Sequence, residues 1–292
     1  MKRASDGIAD TTCYDDTPER EEPQVNENEI ALYSGIPGIP GLLEQLANIR
    51  AYWLGWGIDR SEDDSLTYYR SGINHPRLNA VLRTEGLDLI SQFGRARSAL
   101  QGVPWLWDLN VDSAPETEAA LLQLGAIHAG SMPIMARELG SLTYREPRVP
   151  GLVLTETNAS DLDRHVIAYS TSMGVAPSEV DRTLAVERAR TYAGLPFHRF
   201  HAQVDGAIVG TAETLVTGDI AGLFLVSTVA DRRREGIASS LSTYALERSK
   251  EHGARTAVLQ ASGSGEPVYR RLGFMTVGTT TSFVVGEETT PS

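Results

Sequence analysis

The chain holds one cysteine, Cys13, in 292 residues, which excludes a disulfide framework and any cysteine-built metal site. Its six histidines are scattered, with no pair at helical ligand spacing, so no metal is expected. No stretch approaches the roughly 20 apolar residues that span a bilayer. Lys2 and Arg3 are followed by acids rather than an apolar run, so no signal peptide is expected either. Basic charge is also short. Against 26 Lys and Arg stand 38 Asp and Glu, a net charge of −12 with a pI near 5.0, which argues against a nucleic-acid binder. These absences leave a soluble, cytoplasmic protein with no membrane or nucleic-acid partner as the expectation, one whose acidity suits a cationic small molecule.

What is present divides in two. Residues 1–29 are acidic with few apolar positions, too few to offset the entropy of ordering them, so a disordered tail is expected. Leu42, Leu43, Leu46, Ile49, Tyr52 and Trp53 recur at helical spacing, which predicts a helix over Pro40–Trp56. A charged loop, Asp59–Asp64, comes next. Short strands at Leu66–Ser71 and Ala80–Arg83, a helix over Leu87–Leu100, a strand at Val103–Leu109 and a helix over Pro115–Leu124 complete the first half. Pro147 and Pro150 mark a linker at 143–151. Beyond it the order is strand, helix, helix and three strands, from Val153 to Val229.

The two halves rhyme. Leu121-Leu122-Gln123-Leu124-Gly125-Ala126-Ile127 aligns with Tyr269-Arg270-Arg271-Leu272-Gly273-Phe274-Met275, each a helix ending in Leu-Gly and entering a strand. An internal repeat is the reading. Its first copy has Leu121 where the second has Tyr269. The first copy's nearest match to the glycine turn of the second is Arg83-Thr84-Glu85-Gly86-Leu87-Asp88, which ends in an acid. Trp53, Trp56, Trp105 and Trp107 in that half are read as core.

The informative turn follows the strand Leu225-Val226-Ser227-Thr228-Val229. Arg232, Arg233 and Arg234 precede Glu235-Gly236-Ile237-Ala238-Ser239, and Gly236 falls where a helix must begin. A helix start presents unpaired N–H groups and partial positive charge. Gly236 lets backbone approach a bulky anion such as a diphosphate.

Arg233-Arg234-Glu235-Gly236-Ile237-Ala238 fits Arg/Gln-x-x-Gly-x-Gly/Ala, and with the strand before it and Val-Tyr-Arg-Arg-Leu-Gly-Phe after it the chain resembles the GNAT family, the Gcn5-related N-acetyltransferases. Tandem members pair a degenerate first domain with a competent second one, and this sequence looks like one of them. The resemblance implies an α/β (α+β) architecture of two GNAT-like domains, 30–142 and 152–287, each a mixed, mostly antiparallel sheet flanked by helices. It implies acetyl-CoA as co-substrate, a small-molecule amine as acceptor, and a monomer or homodimer. Cofactor contacts would fall on Ser227, Thr228 and Val229, with a backbone N–H near Val229 polarising the thioester carbonyl. The diphosphate would sit on Arg233, Arg234, Glu235, Gly236, Ile237, Ala238 and Ser239.

In such a family Tyr269 would give a proton to the departing thiolate. Glu213, on the strand before the fourth, would act as base directly or through water, with Glu266 as second candidate. Where the family often has an Asn after the fifth strand, this chain has Ser262-Gly263-Ser264-Gly265. The other readings are a non-catalytic acyl-CoA sensor or scaffold and a protein or peptide N-acetyltransferase.

Overall fold

The computed structural model describes residues 40–63, 65–86, 88–143 and 149–285. The acidic tail, most of the linker and Leu87 as a helix start lie outside the described residues.

Helix α1 (Leu42–Leu54) opens after Pro40-Gly41 and ends at Gly55. Its buried side, Leu46, Ile49, Tyr52 and Trp53, follows the helical period that the sequence predicts. Then come β1 (Asp59–Asp63), β2 (Leu66–Arg70), β3 (Asn79–Thr84), α2 (Leu89–Ala99), β4 (Trp105–Leu109), α3 (Thr117–Gln123) and β5 (Ala126–Glu138). The second half runs β6 (Val153–Glu156), α4 (Leu162–Met173), α5 (Val180–Ala189), β7 (Phe197–Val204), β8 (Ala207–Thr217), β9 (Ile220–Thr228), α6 (Ile237–Lys250), β10 (Thr256–Gln260), α7 (Glu266–Arg271) and β11 (Met275–Val285).

The stretch expected as a charged loop, Asp59–Asp64, is instead strand β1 over Asp59–Asp63. Its side chains are nearly all exposed, and its backbone pairs antiparallel with β2. An edge strand needs only backbone partners, so it carries no apolar alternation for a reader of sequence to find.

All the strands among the described residues join one eleven-stranded sheet in the order β1-β2-β3-β4-β11-β5-β10-β9-β8-β7-β6. Within each half the pairing pattern is the same. β1, β2 and β3 are antiparallel and β3 runs parallel to β4, just as β7, β8 and β9 are antiparallel and β9 runs parallel to β10. A short helix and a long strand follow each time, through Gly125 (φ +86) after α3 and Gly273 (φ +84) after α7.

The long strands then cross over. β5 pairs antiparallel with β10, β11 with β4, and β5 and β11 pair with each other. Each half completes its sheet with the last strand of the other.

Three packed clusters cover the sheet. Helices α1, α4 and α5 share one core that mixes both halves: Leu46, Tyr52 and Tyr69 with Val166, Leu184, Leu215 and Phe224. Helix α6 packs Ile237, Leu241, Ala245 and Leu246 against β7–β9 residues such as Phe200, Val209 and Leu223, with Tyr269 in the same cluster. Helices α2 and α3 close the third over Trp105, Trp107 and Phe283.

Asn48 anchors α1 to the β8–β9 hairpin, its amide donating to Leu215 O (3.1 Å), Thr217 Oγ1 (2.8 Å) and Ile220 O (3.2 Å). A Cβ at Gly222 would collide with the Asn48 side chain and the Phe224 ring, so the helix's approach requires glycine there.

Strand exchange yields a test. Residues 149–285 produced alone lack β4 and β5, the partners of β10 and β11. We expect no cooperative thermal melt by circular dichroism and a collapsed amide NMR spectrum. A sharp melt with dispersed resonances would show that the exchange is dispensable.

Candidate active site

The β9–β10 pair comes apart partway. Its register holds Ile220–Gly222 against Thr256–Val258 and stops there, so Leu223–Thr228 has β8 along one edge and no strand in register along the other. Past the divergence β9 bulges: Thr211 pairs with Ser227 but Glu213 pairs with Phe224, so Leu225 and Val226 together oppose Ala212. Leu225 sits at φ +46, a costly conformation for a residue with a side chain. Thr211 Oγ1 clamps the bulge, donating to Leu225 O (3.0 Å) and lying 2.7 Å from Ser227 Oγ. Bulges re-aim backbone groups out of the ladder, and this one lies at the mouth of the split.

Strand β9 delivers the chain to the arginine turn. Arg232 pairs with Glu235 (2.8 Å) and Arg233 Nε donates to Thr228 O (3.3 Å). The Arg232 guanidinium holds the Glu235 carboxyl below its ordinary range. Arg234 (φ +68) and Gly236 (φ +89) are both left-handed and exposed, and a Cβ at Gly236 would meet nothing within 4 Å. Open space faces this backbone.

Helix α6 starts at Ile237 with no side-chain cap, and Ser240 N–H makes the first bond to Gly236 O (3.0 Å). The amides of Ile237, Ala238 and Ser239 therefore have no acceptor within the helix. Ile237 is buried against Gly210, where an added Cβ would lie 3.0 Å from Ile237 Cγ2 and from Ser227 O. That contact ties the helix start to β8 and β9. The buried Thr228 Oγ1, at the end of β9, has no hydrogen-bond partner among the described residues.

One expected donor is already taken. The Val229 N–H bonds Val209 O (3.0 Å), continuing the attachment of β9 to β8, so it is not free to polarise a carbonyl. The backbone displaced from the ladder lies earlier, at Leu225–Val226, because the bulge interrupts the register there.

Tyr269 lies on α7, 8% exposed, edge-on to Phe274 at 5.6 Å between centroids. Burial pushes its hydroxyl pKa up, with the neighbouring Ser242 hydroxyl of α6 pulling the other way. The phenol is protonated at neutral pH. The serine-glycine segment beside it is a turn that opens α7, with Gly265 N–H donating to Ser262 O (2.9 Å), and a Cβ at Gly265 would sit 3.2 Å from Tyr269 Cε2. Glu266 is held by Arg270 (2.6 Å).

Glu213 departs furthest from expectation. Its side chain is 0% exposed and lies in a buried charged cluster, not in the split. Arg190 Nη1 donates to Glu213 Oε2 (3.0 Å) and Glu187 Oε1 (2.8 Å), and Tyr52 Oη donates to Glu213 Oε2 (2.7 Å). Arg199 approaches both carboxylates, at 3.3 Å from Glu213 and 2.5 Å from Glu187. Trp56 and Tyr52 from the first half lie over the Arg190 guanidinium at 4.2 and 4.9 Å.

Burial alone would raise the Glu213 pKa, but Arg190, His165 and Arg199 outweigh it and hold the carboxyl below its usual range. A carboxylate so paired and sealed is no base for an arriving amine. Strand alternation turns Glu213 toward the face that α1 covers, which sequence could not tell from an open cleft.

The four tryptophans are buried, as read. Sequence gave no sign of Tyr52, Arg190 and Gln260 as site neighbours. Gln260, where β10 diverges from β9, accepts from Trp53 Nε1 (3.3 Å) and donates to Thr280 Oγ1 (2.7 Å). A polar residue ending an apolar strand was the one available signal.

The first half's counterpart of the turn follows β3. There Asp88 caps α2 itself, accepting from Ser91 N–H (3.1 Å). A cavity of about 260 Å³ between the starts of α2 and α3 is lined by Asp88 and Glu116. An acid occupies the place where α6 leaves bare amides.

Residues 184–284 match the family model described as acetyltransferase (GNAT) domain. No curated protein matches the sequence. Among solved structures, a GCN5-related N-acetyltransferase from Kribbella flavida superposes with TM-score 0.63 at 17% identity, covering 83% of this chain and 96% of its own. A tandem GNAT protein from the clavulanic acid biosynthesis pathway gives 0.52 at 13% identity, with 76% and 79% covered. A putative acetyltransferase of the GNAT family from Novosphingobium aromaticivorans gives 0.51 at 14%, with 84% and 99% covered. These likenesses establish the fold.

Replacing Arg190 by Met removes the fully buried cation that two buried carboxylates share, leaving them Arg199 and tyrosine hydroxyls, and we expect a loss of about 3–5 kcal/mol in urea unfolding. The Glu213 pKa is lower folded than unfolded, where it is about 4.3. Its stabilisation is thus complete above roughly pH 5 and is lost as pH falls toward the folded value. Glu213→Gln should flatten that acid limb of the stability curve.

Proposed function

We propose that this chain, whose residues 184–284 match the acetyltransferase (GNAT) domain model, is an acetyl-CoA-dependent N-acetyltransferase that passes acetyl directly to the primary amine of a small molecule. The observation that carries the reading is the split between β9 and β10, which leads past a bulge to the uncapped, arginine-flanked start of α6. Phosphate groups and an extended thioester arm need those two features in that order.

In this reading Arg233, Arg234 and the amides from Glu235 to Ser239, with Gly236 and Ala238 keeping the backbone approachable, hold the diphosphate. Ser227, Thr228 and Val229 flank the arm. Acetyl-CoA supplies the activated acyl group. The bulge amides at Leu225 and Val226, rather than Val229, donate to the oxygen that gains charge as the amine attacks. The carbon–sulfur bond breaks, the thiolate takes the Tyr269 proton, and the proton lost by the amine returns through solvent. Glu213 takes no part in proton transfer and holds the fold instead.

The first half, 30–142, is a degenerate copy of the same architecture. Its repeated pairing order and its match within a tandem neighbour support this, and Leu121 and Asp88 stand where chemistry would need Tyr269 and a bare helix start. The excess of acidic charge favours a cationic acceptor.

Acetyl-CoA should raise the melting temperature, equivalent to about 2.7 kcal/mol at a hundredfold excess over its dissociation constant. Arg233→Glu with Arg234→Glu should abolish that shift without changing the melt of the free protein. Tyr269→Phe should keep the shift and lower turnover by about 10²–10⁴-fold, read as free thiol released on screening a panel of amines. A well-folded protein that acetyl-CoA does not stabilise would end the proposal.

A further inference from the structure

The bulge that opens the split is held from two sides, and one of them belongs to the other half of the chain. Within its own half, the Thr211 hydroxyl bonds Leu225 O. From the first half, the Tyr52 ring lies flat on Phe224, the residue before Leu225, with 3.6 Å between centroids and 5° between planes. The same tyrosine donates its hydroxyl to Glu213, which is the β8 partner of Phe224 in the register. Tyr52 thus grips both members of the last pair before the ladder slips by a residue.

Tyr52 is itself fixed. Tyr192 Oη donates to its backbone carbonyl (3.0 Å), Arg190 lies against its ring, and Trp53 is edge-on beside it at 5.2 Å. It is fully buried, so its position is not negotiable by solvent.

We propose that Tyr52 is a positioning residue for the acetyl-transfer site: by clamping Phe224 and Glu213 together it holds Leu225 at its strained φ and aims the bulge amides at the thioester carbonyl. A residue with φ +46 persists only where its surroundings leave it no alternative. Thr211 secures the carbonyl after the strained bond, and Tyr52 secures the side chain before it. The first half then contributes to the reaction without touching a reactant, and its loss of its own chemistry is compatible with its retention.

The inference rests on the acetyltransferase reading, and the test separates the two. Acetyl-CoA labelled with ¹³C at the carbonyl is bound to the full-length protein and observed by NMR, with dissociation constants for acetyl-CoA and CoA measured by calorimetry. In the wild type the bound carbonyl should move downfield of the free thioester, and acetyl-CoA should bind more tightly than CoA. If wild-type protein binds neither, the acetyltransferase reading fails, whatever Tyr52 does.

Given wild-type binding, Tyr52→Leu should lose at least half of the downfield shift and all preference for acetyl-CoA, while its CoA affinity stays within about twofold. Tyr52→Phe keeps the stack and should retain most of the shift. Phe224→Leu removes the same stack from the other side and should reproduce Tyr52→Leu, which keeps the test decisive if Tyr52→Leu fails to fold. A folded Tyr52→Leu or Phe224→Leu protein with the wild-type carbonyl shift and acetyl-CoA preference would overturn the proposal. Equal loss of CoA and acetyl-CoA affinity would also overturn it, since that marks general damage rather than positioning.

Discussion

A guanidinium with no access to water, that of Arg190, lies where the two halves meet, and residues from both are arranged to satisfy it. Arg190 must find anionic and aromatic partners or the burial is prohibitive. Glu213 comes from β8, Glu187 from α5, Tyr192 from the loop after it, and Tyr52 and Trp56 from α1 and the turn beyond it in the other half. Burial works against the charged form, yet Glu187 and Glu213 more than compensate and keep Arg190 ionised. Because the partners come from four places in the chain, one charge fixes the docking of α1 on β8 and β9. The same docked helix lays Tyr52 on Phe224, two residues past the last pair that β9 makes with β10.

The split itself shows how a small change in pairing makes a site. Three residue pairs hold β9 to β10, and beyond Gly222 the strands diverge. Open strand edges ordinarily invite aggregation. Here the free edge is short and lies beside a helix start whose amides are likewise unspent. An unpaired strand edge thus leads along the chain to a helix start whose first amides have no acceptor within the helix, and in the proposed reading a ligand extended at one end and anionic at the other answers both.

Much of this was legible in the residues. The Arg-Arg-Glu-Gly-Ile-Ala turn, with a strand before it and Tyr269 after it, predicted the strand and the helix beginning at Gly236 that are found, and the structure adds that Gly236 is left-handed. Leu-Gly at the ends of α3 and α7 marked corresponding positions, since glycine at positive φ is needed to leave each helix. Exposure and exchange were not legible. Glu213 looks like any polar residue on an alternating strand, and distant elements, α1 about 160 positions earlier among them, decide that its face is sealed. Val229 was expected to be free because a register cannot be counted through a bulge that no residue announces. The partner swap of β5 and β11 left no mark either, because backbone pairing between strands is not written in either strand's side chains.

That swap reaches back to the ribosome. Strand β5 is complete at Glu138, but its neighbours β10 and β11 begin at Thr256 and Met275. At ordinary translation speeds the wait is on the order of ten seconds, far longer than hairpin formation. Through that interval the nascent chain carries a thirteen-residue strand with neither flank covered. Until β10 and β11 have been made, it has no strand to pair with.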